Sequence, residues 1–96
     1  MDKYYKIFQD LRFKPQSFLK GLQAILFFPN GYGISVVRNV WSLTTANTWE
    51  IAIIKGDEND YDLCFDTPIT DNVIGYCSEE KVSNIMKQIQ DLTLYP

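Results

Sequence analysis

A tight turn between two apolar runs constrains the fold of this chain more than any other feature. Residues 22–28 and 32–38 are rich in branched and aromatic side chains, and Pro29-Asn30-Gly31 separates them. Proline presets φ for the first turn position, asparagine tolerates the second, and glycine takes positive φ. Because proline has no N–H to donate to a ladder, a type I turn with Gly31 as a bulge fits better than a two-residue loop. The sequence therefore predicts an antiparallel hairpin.

The register of this hairpin divides its side chains into two faces. We assign to the core face the six side chains that pair across the turn: Phe28 with Tyr32, Leu26 with Ile34, and Ala24 with Val36. The opposite face, called the second face below, is also apolar and carries Ile25, Phe27 and Val37 beside Gln23 and Ser35. An apolar face of this kind needs a cover. Either an N-terminal helix or a partner protein is expected to supply it.

Three further patterns indicate a second hairpin and two helices. Residues 49–55 and 61–65 alternate in polarity on either side of an acidic turn, which predicts two more strands. Apolar side chains at helical spacing after the N-cap Ser78 predict a C-terminal helix: Val82, Ile85, Met86 and Ile89. The spacing of Tyr4, Tyr5, Phe8 and Leu11 within residues 2–11 predicts a short N-terminal helix.

Together these elements predict an α+β fold. We expect an antiparallel sheet of four or five strands, with a C-terminal helix packed on one face and a short N-terminal helix. Residues 12–14 are interpreted as a short strand, 39–48 as a polar loop and 72–76 as an apolar connector. The 96 residues suffice for one core, so a single domain spanning 1–96 is expected.

Cysteine and hydropathy patterns favour a reducing, non-membrane compartment. The chain has two cysteines, Cys64 and Cys77, whereas small secreted domains often depend on several disulfides. One bridge between the two is still compatible with this count. The N-terminus has mixed charge with no apolar stretch after it, and the most apolar run is far shorter than a membrane span. We therefore expect a cytoplasmic protein without membrane association.

The residue types present argue against an enzyme. The chain contains no histidine, which removes histidine-based nucleophile arrangements and histidine-ligated zinc. Cys64 and Cys77 have no evident activator and are interpreted as small core residues. We therefore expect no catalytic residue, no cofactor and no metal site.

Charge is distributed unevenly along the chain. Residues 1–55 carry seven Lys/Arg against three Asp/Glu, whereas residues 56–96 carry nine Asp/Glu against two Lys/Arg. The densest polar cluster is Asp57, Glu58, Asp60, Asp62, Asp66 and Asp71. Its first four residues, Asp57, Glu58, Asp60 and Asp62, are called the acidic cluster below. It lacks the central glycine and the distal glutamate of an EF-hand loop. It is either a solvated turn or a patch that engages a basic partner surface. No Lys/Arg run is dense enough to predict direct nucleic-acid contact.

Four blocks of the chain together resemble a known family. They are FPNGYGISVVR at 28–38, WEIA at 49–52, YDLCFDTPITD at 61–71 and VIGY at 73–76. This combination resembles a family of small bacteriophage proteins usually called hypothetical, and the resemblance covers residues 20–92. It implies a phage or prophage origin and the cytoplasm of an infected bacterium. No catalytic residue is carried over from it.

These observations favour a non-enzymatic protein that binds a host or phage protein. Its sharpest form is an inhibitor of a bacterial defence system, such as an anti-CRISPR. Candidate contact residues are the acidic cluster, the second face and the loop residue Trp41: Asp57, Glu58, Asp60, Asp62, Ile25, Phe27, Val37 and Trp41. Trp41 could instead pack as a satellite of the core. The alternatives are a structural or regulatory protein that forms a homodimer through the second face, and a metal-dependent factor that uses the acidic cluster.

Overall fold

Six antiparallel strands and one C-terminal α-helix are formed by residues 4–16 and 20–93, the residues that the computed structural model describes. In chain order the elements are a 3₁₀ turn at Phe8–Asp10, β1 at Lys14–Gln16, β2 at Gly21–Phe27, β3 at Tyr32–Arg38, β4 at Trp49–Asp57, β5 at Asp60–Leu63, β6 at Ile74–Cys77 and α1 at Glu79–Gln90. The predicted antiparallel sheet followed by a helix is confirmed. The predicted number of four or five strands is too low.

The first hairpin has the predicted register and turn. Leu26 pairs with Ile34 and Ala24 pairs with Val36. The Gly31 N–H donates to the Phe28 carbonyl at 3.2 Å, and Gly31 has a φ of 87°. A side chain at Gly31 would be strained in that conformation, whereas glycine adopts it freely. The turn therefore has the bulged form that Pro29 and Gly31 favour.

Asn30 links this turn to the end of the helix. Its side-chain amide donates to the carbonyl oxygens of Ile89, at 2.9 Å, and Leu92, at 3.2 Å. Its Oδ1 accepts a hydrogen bond from the Tyr32 N–H at 3.1 Å. The last carbonyls of a helix lack intrahelical donors. Asn30 therefore shapes the turn and also caps the C-terminal end of α1.

The outer edge of β4 is shared by two strands. The order across the sheet is β1-β2-β3-β4-β5, and β6 also pairs with β4. β5 lies beside the second half of β4, where Ile54 pairs with Leu63, whereas β6 lies beside its start, where Trp49 pairs with Cys77. The connector predicted over residues 72–76 is therefore partly a strand, because its backbone pairs with β4 across an irregular register.

The core lies between α1 and one face of the sheet. The helix contributes Val82, Ile85, Met86 and Ile89 to a cluster that also contains the inward side chains of β2, β3 and β4. Ser78 caps the helix as predicted, since its Oγ accepts the Lys81 N–H at 3.1 Å. The helix thus presents its predicted apolar stripe to the sheet. No helix in residues 4–16 and 20–93 is long and apolar enough to cross a membrane.

The N-terminal segment differs from the prediction in structure and in position. The predicted helix over residues 2–11 is wrong: a single 3₁₀ turn forms at Phe8–Asp10, and residues 2 and 3 lie outside the described part. The Phe8 N–H donates to Ser83 Oγ at 3.0 Å, and the Gln90 side chain bonds both backbone groups of Lys6. The segment therefore lies along α1 on the core side of the sheet. The interpretation that it covers the second face is also wrong.

The first strand begins later than predicted, after an aromatic stack at Phe13. Lys14 pairs with Gln23, so β1 occupies Lys14–Gln16 instead of residues 12–14. Phe13 instead stacks on Trp49 with 4.4 Å between ring centroids. The Arg38 guanidinium lies 3.6 Å from the centre of the same indole ring, a cation–π contact. Through this stack Phe13 packs against the core, to which Trp49 belongs.

Candidate protein-binding surface

The sheet face opposite α1 is open. Among the described residues, no helix or further strand covers this second face, because the 3₁₀ turn and α1 both pack on the core side. Ile25, Phe27 and Val37 lie on it as predicted and are half-buried. The alternation of β4 and β5 adds Ala52, Ile54, Tyr61 and Leu63 to the same face. The second face is therefore largely apolar across four strands, with Gln23 and Ser35, which are hydrogen-bonded to each other at 3.2 Å, as polar side chains within it.

A glycine at the centre of the second face determines how its aromatic rings lie. Phe27, Gly33, Ile54 and Leu63 pair in one row across β2 to β5. A Cβ added at Gly33 would lie 2.8 Å from Phe27 Cδ1, so the Phe27 ring occupies the space over the glycine. The ring then meets Tyr61 edge-on, with 5.6 Å between centroids. Ile54, in the same row, is 0% exposed, although no helix or strand of the described residues lies above it.

The acidic cluster lies on a hairpin that extends beyond β3. The last pair between β3 and β4 joins Tyr32 to Lys55, whereas β4 continues to Asp57, which pairs with Asp60. Asp57 Oδ1 accepts the N–H groups of Asn59 and Asp60 at 2.8 and 3.1 Å, which orders the turn. All four carboxylates of the cluster belong to exposed residues. The cluster therefore projects into solvent from one end of the sheet.

The structure brings one member of the acidic cluster, Glu58, to the margin of the second face. The Phe27–Tyr61 ring contact joins the first hairpin to the β4–β5 hairpin. A shallow depression between them is lined by Lys14, Ile25, Glu58 and Tyr61. Glu58 of the acidic cluster thus lies beside these apolar side chains, whereas Asp60 and Asp62 lie on the opposite side of β5 from Tyr61 and Leu63. The sequence placed these groups on separate hairpins and did not show that they meet.

Three exposed apolar side chains in or just after β5 were not among the predicted contact residues. Tyr61 is 39% exposed, Leu63 is 53% exposed, and Phe65, two residues beyond β5, is 41% exposed. The alternation of residues 61–65 did predict that these three share one side of a strand. The missing information was that this strand is at the edge of the sheet, next to the uncovered face.

Trp41 lies apart from the other predicted contact residues. It is 79% exposed, so the interpretation of a satellite core residue is wrong. It follows the end of β3 at Arg38, whereas the acidic cluster lies beyond the other end, at Tyr32. The seven-residue β3 separates the two ends by about 20 Å. Its role as an interface anchor stays a prediction.

The two cysteines are free and buried. Burial raises the pKa of the Cys64 thiol, which also donates to Asp66 Oδ1 at 3.0 Å, and burial likewise raises the pKa of Cys77. The Cys64 hydrogen bond, assisted by the charge of Lys55, lowers the pKa of the Asp66 carboxyl. Both thiols therefore stay protonated at neutral pH and are poor nucleophiles. In residues 4–16 and 20–93, no group of three or more metal-binding side chains could hold a metal ion.

Comparison with protein-family models, with curated proteins and with solved structures finds no match to this chain. The phage resemblance of the four sequence blocks therefore stays an expectation. What the structure adds is a surface on which exposed carboxylates adjoin exposed aromatic and aliphatic side chains. A surface of that chemistry suits a protein partner, because protein interfaces combine an apolar centre with a polar rim.

Proposed function

We propose that this chain is a small phage-encoded, non-enzymatic protein that binds a host or phage protein in the bacterial cytoplasm. In its sharpest form it inhibits a bacterial defence system, as an anti-CRISPR does. The C-terminal helix packs on one face of the sheet and leaves the second face for the partner. One observation carries the proposal: the exposed apolar side chains of β5 continue the second face, and Glu58 of the acidic cluster lies at its margin.

The chemistry of this surface favours a partner with a basic, partly apolar patch. Residues 55–66 contain five carboxylate side chains and one lysine, so this hairpin is strongly acidic. Complementary charge accelerates association and selects the partner, whereas the apolar centre supplies most of the affinity. Surfaces that bind nucleic acid are basic. A phage protein with this hairpin would compete for such a surface, which is the reason for proposing a defence inhibitor.

Capture from infected bacteria tests the binding function. The chain, Leu63→Asp and the control Gln88→Asp are each used as bait in lysate of phage-infected host, and stoichiometric partners are identified by mass spectrometry. Leu63 lies on the candidate surface, whereas Gln88 is exposed on α1. We expect the unaltered chain and Gln88→Asp to retain one partner that Leu63→Asp loses. No stoichiometric partner, or equal capture by all three baits, would contradict the proposal.

A plaque assay separates the inhibitor from other binding functions. The chain is expressed in a host whose CRISPR system targets the challenging phage, and plaque formation is counted. We expect plaques to increase with the unaltered chain and Gln88→Asp but not with Leu63→Asp. If a partner is captured and plaque counts do not change, the chain is a binding protein but not an inhibitor of that system.

Self-association is the second candidate function. The observation that favours it is the largely apolar second face, which a second copy would cover in the same way as a partner. Light scattering at micromolar concentration distinguishes the two, since one copy has a mass of 11.2 kDa. A monomeric mass at all concentrations would remove this candidate. A dimer that Leu63→Asp dissociates would favour it.

A further inference from the structure

One edge of the sheet has unpaired backbone groups. The Cys64 N–H donates to the Ile53 carbonyl at 2.8 Å, and hydrogen-bonded pairs alternate along an antiparallel ladder. In the register of β4 and β5, the backbone groups of Asp62 therefore form hydrogen bonds with those of Lys55. The backbone groups of Asp60 do the same with those of Asp57. The residues between them are non-bonded positions of this ladder. Their N–H and C=O groups point away from β4.

The other side of β4 supports this assignment. The Gly56 N–H donates to the Gly31 carbonyl at 3.1 Å, so the backbone of Gly56 faces β3 and not Tyr61. Tyr61 and Leu63, opposite Gly56 and Ile54, are therefore the residues of β5 whose backbone faces outwards. Each exposes one donor and one acceptor at the edge.

No other described segment occupies this edge. β6 pairs with the first half of β4 and not with β5, and all four residues of β5 are exposed. No backbone hydrogen bond from the loops among residues 4–16 and 20–93 reaches Tyr61 or Leu63. A strand edge of this kind is a template for pairing with another chain.

The side chains of β5 determine what kind of strand fits. Asp60 and Asp62 point to one side, and Tyr61 and Leu63 point to the other, where they continue the second face. A second copy paired antiparallel would set its own aspartates against these, and like charges at opposed positions destabilise a ladder. A strand with lysine or arginine at the positions opposite Asp60 and Asp62 would be attracted to these aspartates.

We propose that β5 accepts an extended strand of the partner protein, with Lys or Arg at the positions beside Asp60 and Asp62 and apolar side chains beside Tyr61 and Leu63. Main-chain hydrogen bonds at the edge hold the strand, and the alternating side chains select it, which is the mode called β-augmentation. This inference rests on the proposed function and specifies how the partner is bound.

A peptide that carries only this pattern is the direct probe. An eight-residue capped peptide of alternating lysine and valine is titrated into the full chain, and amide shifts and hydrogen exchange are followed by NMR. Two matched peptides serve as controls, one with glutamate in place of lysine and one methylated on alternate backbone nitrogens. We expect the first peptide to slow exchange of the Tyr61 and Leu63 amides at least tenfold at saturation. Both control peptides should bind at least tenfold more weakly.

Three results would overturn the inference. One is the absence of exchange protection at Tyr61 and Leu63 with the lysine–valine peptide. Another is equal binding by the backbone-methylated peptide, because that peptide cannot form the ladder. The third is protection that rises with protein concentration in the absence of peptide, which would show that a second copy occupies the edge.

A semisynthetic chain distinguishes failure of this inference from failure of the proposed function. Cys64 provides a ligation site, so a methyl group can be placed on the Leu63 backbone nitrogen, which makes no bond within the sheet. We expect this chain to melt normally and to lose the partner captured from infected lysate. If it captures the partner that Leu63→Asp loses, strand addition is wrong and the binding function stands. If neither the unaltered chain nor the methylated chain captures a partner, the proposed function itself fails.

Discussion

Replacement of Asn30 by alanine should weaken the contact between the first hairpin and the helix. The side chain makes three hydrogen bonds: two donated to the Ile89 and Leu92 carbonyls and one accepted from the Tyr32 N–H. All three are lost in Asn30→Ala, whereas the turn itself keeps Pro29. The change therefore tests whether this side chain holds the helix end against the turn.

The expected loss is about 2 kcal/mol of unfolding free energy. A hydrogen bond in a folded protein contributes about 0.5 to 1.5 kcal/mol net. The Ile89 carbonyl also accepts the Leu92 N–H at 3.1 Å, so it keeps a hydrogen-bond partner in the variant. The total for the three lost hydrogen bonds is therefore expected to lie below the upper limit of this range. For a domain of this size, about 2 kcal/mol corresponds to a decrease of about 10 °C in Tm. Urea unfolding followed by tryptophan fluorescence measures it.

Asn30→Asp provides a matched comparison with a pH signature. It keeps the oxygen that accepts the Tyr32 N–H, loses both donors, and places a negative charge at the C-terminal end of α1, where the helix dipole is also negative. Folding then raises the pKa of the new carboxyl, so its ionisation costs stability. The deficit should exceed that of Asn30→Ala at pH 7. The excess should disappear as pH falls below the unfolded carboxyl pKa of about 3.9.

The control is Asn84→Ala, because Asn84 is exposed on α1. It should change the unfolding free energy by about 0.5 kcal/mol or less, as surface substitutions do. The reasoning is refuted if Asn30→Ala is as mild as this control. It is also refuted if the difference between Asn30→Asp and Asn30→Ala does not depend on pH.

Further substitutions test the second face and the buried thiols. Gly33→Ala should cost about 2 kcal/mol in urea unfolding, because its Cβ would lie 2.7 Å from the Leu26 carbonyl oxygen, and a loss near zero would contradict that packing. Cys64→Ala should raise the pKa of Asp66 towards its ordinary value in a carboxyl NMR titration, since the thiol donor is lost, and an unchanged titration would contradict the hydrogen bond. Asp66 thus contributes stability above its unfolded pKa that is lost as pH falls through its lowered value. Cys64 and Cys77 should react with a thiol reagent at pH 8 only as fast as the chain unfolds, and an immediate reaction would show that one is accessible.

The first hairpin could be predicted because its information is local. Pro29, Asn30 and Gly31 select one turn, and that turn fixes which side chains of β2 and β3 share a face. The helix was predictable for the same reason, from one cap and one periodic stripe. In both places propensity, turn chemistry and hydropathy indicate the same structure, which is the condition under which sequence specifies fold.

The N-terminal segment was not predictable because its partners are distant in sequence. Phe8 bonds a side chain 75 residues away, and the backbone of Lys6 bonds one 84 residues away. Side chains at helical spacing normally indicate a helix. Here an irregular backbone places the same side chains against α1 equally well, so their spacing does not determine the backbone conformation. Distant partners also explain why β6 was not predicted. Its four residues are too few to show a period of two, and they form a strand by pairing with β4.

The candidate surface was predicted in its parts but not in its centre. Ile25, Phe27 and Val37 lie on the open face, yet all three are half-buried, and Phe27 is held over Gly33. An already shielded side chain gains less from a partner than an exposed one, because the gain follows the apolar area removed from water. Leu63, 53% exposed and next to unpaired backbone groups, has more to gain. Recognition should therefore centre on the β5 edge, with Phe27 and its neighbours as the platform that positions it.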